Sequence, residues 1–320
     1  MRVVYQLTLI NKRYHRPAKK NFRPRGQVIL IGLDSSHREG DHAMPPKKDG
    51  KKKKAKAPEF TDEDLDCFVK YYKNFCKDAG LPVYEPLVKQ VTDEGRDLFK
   101  EDQQFILVPA DPANPEEPRL GPGGCRAMCT AILATGPGMQ KKKPEDPGGP
   151  FKALKAIRCW HSHIGDDGAW SLAEVLRLGG AEVKLEYLEL WHNEIGPRGC
   201  RALGGALMIG GNKSLLALKL DYNPLGSEGL ANLARGLRSN ASLLQLHASY
   251  CQIDSLGCAA LGDALSFDKL GLILLNLQGN SIGDEGLSLL CPGLAANNSL
   301  LNLNLADNQI GERRTVVKPM

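Results

Sequence analysis

The sequence predicts an α/β solenoid bent into a horseshoe, with short parallel strands on the concave face and helices on the convex face. Three observations carry that reading: a frame that recurs about every 30 residues, a change of apolar spacing within each copy, and an asparagine at a fixed place in most copies. The clearest copy is Leu185-Glu-Tyr-Leu188-Glu-Leu190-Trp-His-Asn193-Glu-Ile195-Gly196. Its frame, L-x-x-L-x-L-x-x-N-x-I/L-G followed by G-x-x-x-L-x-x-x-L, can be laid on Leu154, Leu185, Leu215, Leu243, Leu272 and Leu300. The asparagine position then falls on Ser162, Asn193, Asn223, Cys251, Asn280 and Asn308, in steps of 31, 30, 28, 29 and 28 residues.

One copy accounts for the spacing physically. In Leu188-x-Leu190 two leucines alternate with polar neighbours, the pattern of a short strand with one buried face. From Gly199 onward Leu203 and Leu207 stand four apart and mark the inner face of a helix. Neither element can bury its leucines alone. Stacked copies set their strands about 4.8 Å apart in a parallel sheet with the helices outside, so the leucines of all copies merge into one core. The asparagine falls where the chain leaves the sheet, and its carboxamide can satisfy backbone groups of that turn and of the neighbouring copy. Cys251 is small and half-polar enough for the same slot. These positions therefore read as a turn ladder rather than as ligands.

Periods of 28 to 29 residues with a full helix resemble the ribonuclease-inhibitor type of leucine-rich repeat, a class found also in Ran GTPase-activating proteins and in the sensing half of NOD-like receptors. The resemblance covers residues 151–311, as six repeats of which the last is truncated. A fainter copy lies upstream, where Leu120-Gly-Pro-Gly-Gly-Cys-Arg-Ala-Met128 parallels Ile195-Gly-Pro-Arg-Gly-Cys-Arg-Ala-Leu203. Its strand is expected at Phe105-Ile-Leu-Val108, so residues 105–150 read as a divergent first repeat carrying two insertions, Asp111 to Pro118 and Lys141 to Pro150.

Ahead of it, residues 1–57 read as a basic, disordered tail. Residues 1–56 carry 16 Lys/Arg against 4 Asp/Glu, net +12, whereas the other 264 residues carry net −7. Met44-Pro-Pro-Lys-Lys resembles an ordinary lysine-rich protein start, which makes residues 1–43 an extension ahead of it. Val3 to Ile10 is too short and broken for a signal-peptide core, while the lack of acids before Asp34 leaves a transit peptide open. Lys47, Lys48, Lys51, Lys52, Lys53, Lys54 and Lys56 form either a solvated, self-repelling tail or an electrostatic arm for an acidic surface. No aromatic is interleaved with them, so base stacking and specific nucleic-acid binding have no support. Residues 58–104 read as a helical segment. Thr61-Asp-Glu-Asp64 opens a helix as a cap with acids in its first turn, Leu65, Phe68, Val69, Tyr72, Phe75 and Cys76 share one face, and Gly80 ends it. A second short helix starts near Pro86 and uses Leu87 and Val91. Similar helices precede the repeats of several cytoplasmic and ciliary leucine-rich-repeat proteins, which implies that this segment caps the first strand.

After Ile310-Gly311 the expected helix of the last repeat is replaced by residues 312–320, read as disordered. An uncapped core edge follows from that reading, with Leu303, Leu305 and Ile310 partly exposed. It implies a truncated product, or an end completed by a partner or a second copy.

No catalytic, cofactor-binding or metal constellation is legible. The nine cysteines are scattered and odd in number, as for small buried residues in a reducing compartment rather than a disulfide framework. Cys125-x-x-x-Cys129 and His161-x-His163 lack a four-ligand zinc spacing. Gly210-Gly-Asn-Lys-Ser214 imitates a phosphate loop without its first glycine. The glycosylation patterns at Asn212, Asn240 and Asn297 all fall at one point of the repeat, just before the next strand, and so belong to the repeat. No run approaches the eighteen or so apolar residues of a membrane span.

What remains exposed and chemically varied is the concave face, where strand residues flanking the core leucines form three columns. The first is Ala156, Tyr187, Ala217, Gln245, Leu274, Asn302; the second Arg158, Glu189, Lys219, His247, Asn276, Asn304; the third Trp160, Trp191, Asp221, Ser249, Gln278, Ala306. Arg158, Trp160, Tyr187, Glu189, Trp191, Lys219, Asp221 and His247 are the candidate partner-binding residues, because clustered aromatics beside Arg have the composition that dominates interface energetics. The bland alternative is a self-satisfied ladder of alternating charge at 158, 189 and 219, with the tryptophans covered by the 141–150 insertion. The resemblance implies a protein partner on this face. The expected function is thus a non-enzymatic interaction scaffold in the cytoplasm, with a cilium or another cytoskeletal assembly as its expected setting. The alternative is a regulator of a small GTPase, by similarity to Ran GTPase-activating proteins, though their usual long acidic tail is missing. No nucleotide-binding domain of an immune sensor fits in residues 57–150.

Overall fold

The computed structural model describes residues 61–93, 95–109, 111–134, 151, 154–179, 183–208 and 211–311. The expected basic tail with its lysines, the 141–150 insertion and residues 312–320 lie outside the described residues. Thr61 opens α1 (Asp62–Asp78) through a reciprocal cap: its Oγ1 accepts from the Asp64 N–H at 3.2 Å, and its own N–H donates to Asp64 Oδ2 at 3.0 Å. Leu65, Phe68, Tyr72 and Cys76 bury one face of α1, while Val69 and Phe75 are half-buried at its margin. Two further helices follow, α2 (Glu85–Lys89), with Pro86 in its first turn, and α3 (Gly95–Asp102). Phe99 of α3 joins Phe68, Phe105 and Phe151 in an aromatic cluster with ring centroids 4.8–5.9 Å apart. That cluster closes the first end of the core.

The strands are β1 (Gln104–Leu107), β2 (Ala156–Cys159), β3 (Tyr187–Glu189), β4 (Ala217–Lys219), β5 (Gln245–His247), β6 (Leu274–Asn276) and β7 (Asn302–Asn304). They pair in sequence order as one parallel seven-stranded sheet. Register is fixed by the leucine frame: Ile157, Leu188, Leu218, Leu246, Leu275 and Leu303 lie side by side and point into the core. Between strands run α4 (Gly121–Leu133), α5 (Gly165–Leu178), α6 (Pro197–Leu207), α7 (Gly226–Leu237), α8 (Ser255–Leu265) and α9 (Gly283–Ala296), each packed on the next. The result is a leucine-rich-repeat solenoid whose buried residues form one continuous cluster from Leu65 to Leu305.

The exposed edge of β1 is covered by a side chain. Gln90 Oε1 accepts from the Ile106 N–H at 2.8 Å and Gln90 Nε2 donates to the Ile106 carbonyl at 2.7 Å, as a neighbouring strand would.

The turn asparagines are buried and fully engaged. Asn223 Oδ1 accepts from Asn193 N at 2.8 Å and Ile195 N at 3.1 Å, while its Nδ2 donates to Leu190 O at 2.7 Å. Asn193, Asn280 and Asn308 repeat the pattern, and Cys251 fills the slot with Sγ 3.2 Å from Leu220 O. Asn212, Asn240 and Asn297 form a second buried ladder at the other end of the strands, donating to Leu176 O, Leu207 O and Leu265 O. All nine cysteines are free thiols, and burial pushes those of Cys251 and Cys258 up to about 12, so they are un-ionised core fillers.

The far end corrects one expectation. Leu303 and Leu305 are buried, whereas Ile310 is half-buried, partly exposed as expected. β7 pairs with β6, and Leu303 and Leu305 join the same buried cluster as Leu275 and Leu277 of the preceding repeat.

Candidate interaction face

On β2–β5 the parallel register aligns the first two expected columns, and the third follows two residues later, just past the strand ends. Tyr187 is 37% exposed in the first column, between the buried Ala156 and Ala217, whose small side chains leave its ring standing proud. In the third column Trp160 and Trp191 stack with centroids 5.7 Å apart and rings inclined by 25°. Trp191 is 38% exposed and lies 5.9 Å from Lys219 Nζ, within cation–π range.

The second column is not evenly exposed. Glu189 lies beneath its two cationic neighbours, with a side chain 6% exposed against 34% for Arg158 and 25% for Lys219. Its Oε1 accepts from Lys219 Nζ at 2.9 Å, and Arg158 Nε stands 3.9 Å away. Asp221 is buried too, and its Oδ1 accepts from the Ser249 N–H at 2.9 Å. The reading of Glu189, Asp221 and Ser249 as outward-presented groups is therefore corrected. Glu189 is drawn beneath the cations of Lys219 and Arg158, and Asp221 is turned inward by the Ser249 N–H. His247 is half-buried; burial holds its imidazole below the ordinary value, with Asp221 acting the other way and Lys219 adding to the lowering.

A further column went unread in the sequence. The residues just before the turn-ladder positions, His161, His192, Tyr222 and Tyr250, all adopt left-handed backbone with φ between 49° and 60°. That conformation turns the side chains along the rim, where the rings stack with centroid separations of 4.4, 5.5 and 4.9 Å. The row stops at Gly279, where an added Cβ would lie 2.2 Å from the Tyr250 ring. One column more in the repeat alignment would have revealed it. Beside it, His163 Nδ1 lies 2.6 Å from Glu194 Oε1, and Arg119 approaches His163 Nε2. Among the described residues no group of His, Cys, Asp and Glu could hold a metal ion, and no helix is long and apolar enough to cross a membrane.

A parallel sheet of register-matched leucine strands, helices of eleven to fourteen residues on the outer face and an asparagine ladder at the turns define the class. The chain carries leucine-rich repeats, and they resemble those of the ribonuclease-inhibitor type. The Leucine Rich repeat family matches residues 183–204, 211–234, 272–291 and 296–312. The chain is similar to ribonuclease inhibitor of Sus scrofa, at 30% identity over 177 residues, which is 55% of this chain and 34% of that protein. It is similar also to NACHT, LRR and PYD domains-containing protein 12 of Mus musculus, at 44% identity over 84 residues, 26% of this chain and 8% of that protein. Leucine-rich repeat-containing protein 45 of Gallus gallus matches at 39% identity over 88 residues, 27% of this chain and 13% of that protein. The matches thus span about a third or less of these relatives' own lengths.

Proposed function

We propose that this chain is a non-enzymatic scaffold that binds a protein partner on its concave face, through Arg158, Trp160, Tyr187, Trp191, Lys219 and His247, with the buried carboxylates of Glu189 and Asp221 anchoring that face from beneath. The observation that carries the reading is the Trp160–Trp191 stack, half-exposed on adjacent strands and continued along the rim by His161, His192, Tyr222 and Tyr250. Rigid aromatics lose little conformational freedom on binding and bury large areas, and the sheet beneath holds them in place. The fold alone does not choose between functions, so the side chains must. The cytoplasm is the proposed location, with a ciliary or other cytoskeletal assembly as the setting; the lysine-rich segment and the helix ahead of the repeats support that part.

Affinity purification of the full chain, read by mass spectrometry, tests the proposal when run beside two variants. Trp160→Ala with Trp191→Ala removes the stack, whereas Trp170→Ala removes a tryptophan 59% exposed on α5, on the convex side. The expected result is a set of proteins lost in the double variant and kept in the convex control, with circular dichroism unchanged in both. Equal capture by all three sinks the concave-face reading. A small G protein among the lost set would favour the GTPase-regulator alternative, axonemal proteins the cytoskeletal setting. Repeating the capture without residues 1–56, at two salt concentrations, tests the lysine arm for an acidic surface.

A further inference from the structure

In the sequence, Arg158, Glu189 and Lys219 alternate in sign and look self-neutralising. In the structure the alternation is one of depth. Glu189 sits beneath the two cations and Asp221 is turned inward to a backbone N–H, so both carboxylates are already engaged below the surface. The charges that reach solvent in this part of the sheet are those of Arg158 and Lys219. A basic ligand would meet cations first and find the acids covered.

Hydrogen-bonding capacity points the same way. Six buried side-chain nitrogen or oxygen atoms have no hydrogen-bond partner among the described residues, and four of them belong to this face: Arg158 Nε, Trp160 Nε1, His247 Nε2 and Ser249 Oγ. They lie in the second and third columns of β2 and β5, flanking Glu189 and Lys219. Arg158 Nε and Trp160 Nε1 can only donate, and Ser249 is itself 5% exposed. Buried donors without acceptors are costly, so an occupant that attracts the Arg158 and Lys219 heads by charge gains further if the Arg158 and Trp160 side chains turn to bring their unmet N–H groups to its acceptors.

We propose that the occupant is an acidic protein segment, with a carboxylate side chain taken between Arg158 and Lys219 and a bulky apolar side chain one or two residues away laid on Trp160 and Trp191. The proposal rests on the concave-face reading and specifies its partner. It takes the column charge from net positive to neutral and brings acceptors beside the unmet donors of Arg158 and Trp160.

Phage-displayed random peptides of about twelve residues, panned on the full chain, provide the probe; selected peptides are labelled with fluorescein and titrated between about 50 and 500 mM salt. The expected peptides carry Asp or Glu within two residues of Leu, Phe or Trp and lose about tenfold or more in affinity across that range. Arg158→Gln with Lys219→Gln should weaken them about tenfold or more and flatten the salt slope. Exchanging the peptide carboxylate for its amide should do the same, and combining both changes should add little. The peptide-side change leaves the protein untouched, so it separates binding from folding. Peptides without acidic preference that nonetheless depend on Trp160 and Trp191 would overturn the acidic partner and leave the face standing. Peptides indifferent to the two tryptophans, or none enriched, would remove the face and this proposal with it.

Discussion

His161 and His247 show how a single side chain couples this surface to pH. Burial is the largest cause holding each imidazole below its ordinary value; His192, Arg119 and His163 add to it at His161, and Lys219 adds to it at His247 against the pull of Asp221. Both are therefore neutral in the folded chain at pH values where an unfolded histidine, titrating near 6.5, already takes a proton. The unfolded state binds more protons below about 6.5, so stability is fully present above that pH and falls as the pH drops through it. Thermal midpoints measured at pH 7.5, 6.5 and 5.5 should decline less steeply in the His161→Gln, His247→Gln double variant. Carboxylates such as Asp254, held low by Ser227 and the Leu256 N–H, lose stability at more acidic pH in both proteins and cancel in the comparison. Parallel slopes would remove the histidines from the account.

At the scale of the element, helices sit close enough that glycine becomes a packing residue. A Cβ on Gly236 of α7 would lie 2.1 Å from the Gly204 carbonyl oxygen of α6, and one on Gly293 of α9 would lie 1.9 Å from that of Gly262 in α8. Gly205, next to Gly204 in the same helix, is exposed with nothing within 4 Å of such a Cβ. Gly236→Ala should thus force the helices apart and cost about 1–3 kcal/mol in urea unfolding. Gly205→Ala should be neutral or stabilise by about 0.5–1 kcal/mol through helix propensity. The same sign for both would mean that close approach does not set this helix spacing.

For the whole molecule, nearest-neighbour stacking makes stability a matter of how many flanks each repeat has. β5 is paired on both sides, and its repeat lies between α7 and α9. Among the described residues β7 pairs only with β6, where the Asn304 and Ala306 carbonyls accept from Leu277 and Gly279. β1 also has one strand neighbour, yet α1 covers α4 behind it and Gln90 occupies its free edge. Native-state hydrogen exchange should therefore show residues 300–311 opening at lower free energy than 243–248, with Ile106 protected unless Gln90 is changed to Ala. Uniform protection along the array would contradict nearest-neighbour stacking.

The leucine frame was enough to give the parallel sheet, its register and the outer helices, because a period-two strand and a period-four helix in a fixed repeat have one joint way to bury their apolar faces. It also located the asparagine ladder and the Thr61 cap, whose reasons are local: backbone groups at turns and helix starts need partners close in sequence. The columns of Arg158, Trp160, Tyr187, Glu189 and Trp191 were likewise legible, since alternation fixes which residues leave the core. Depth was not. Whether Glu189 lies above or below Arg158 and Lys219 depends on how long side chains from three strands fold over one another, and those strands are about thirty residues apart in sequence. Nor did the pattern give α3, the carboxamide of Gln90 paired with an edge strand, or the burial of Leu303 and Leu305. Only the tertiary structure decided these, because each rests on contacts between elements whose spacing in sequence carries no period.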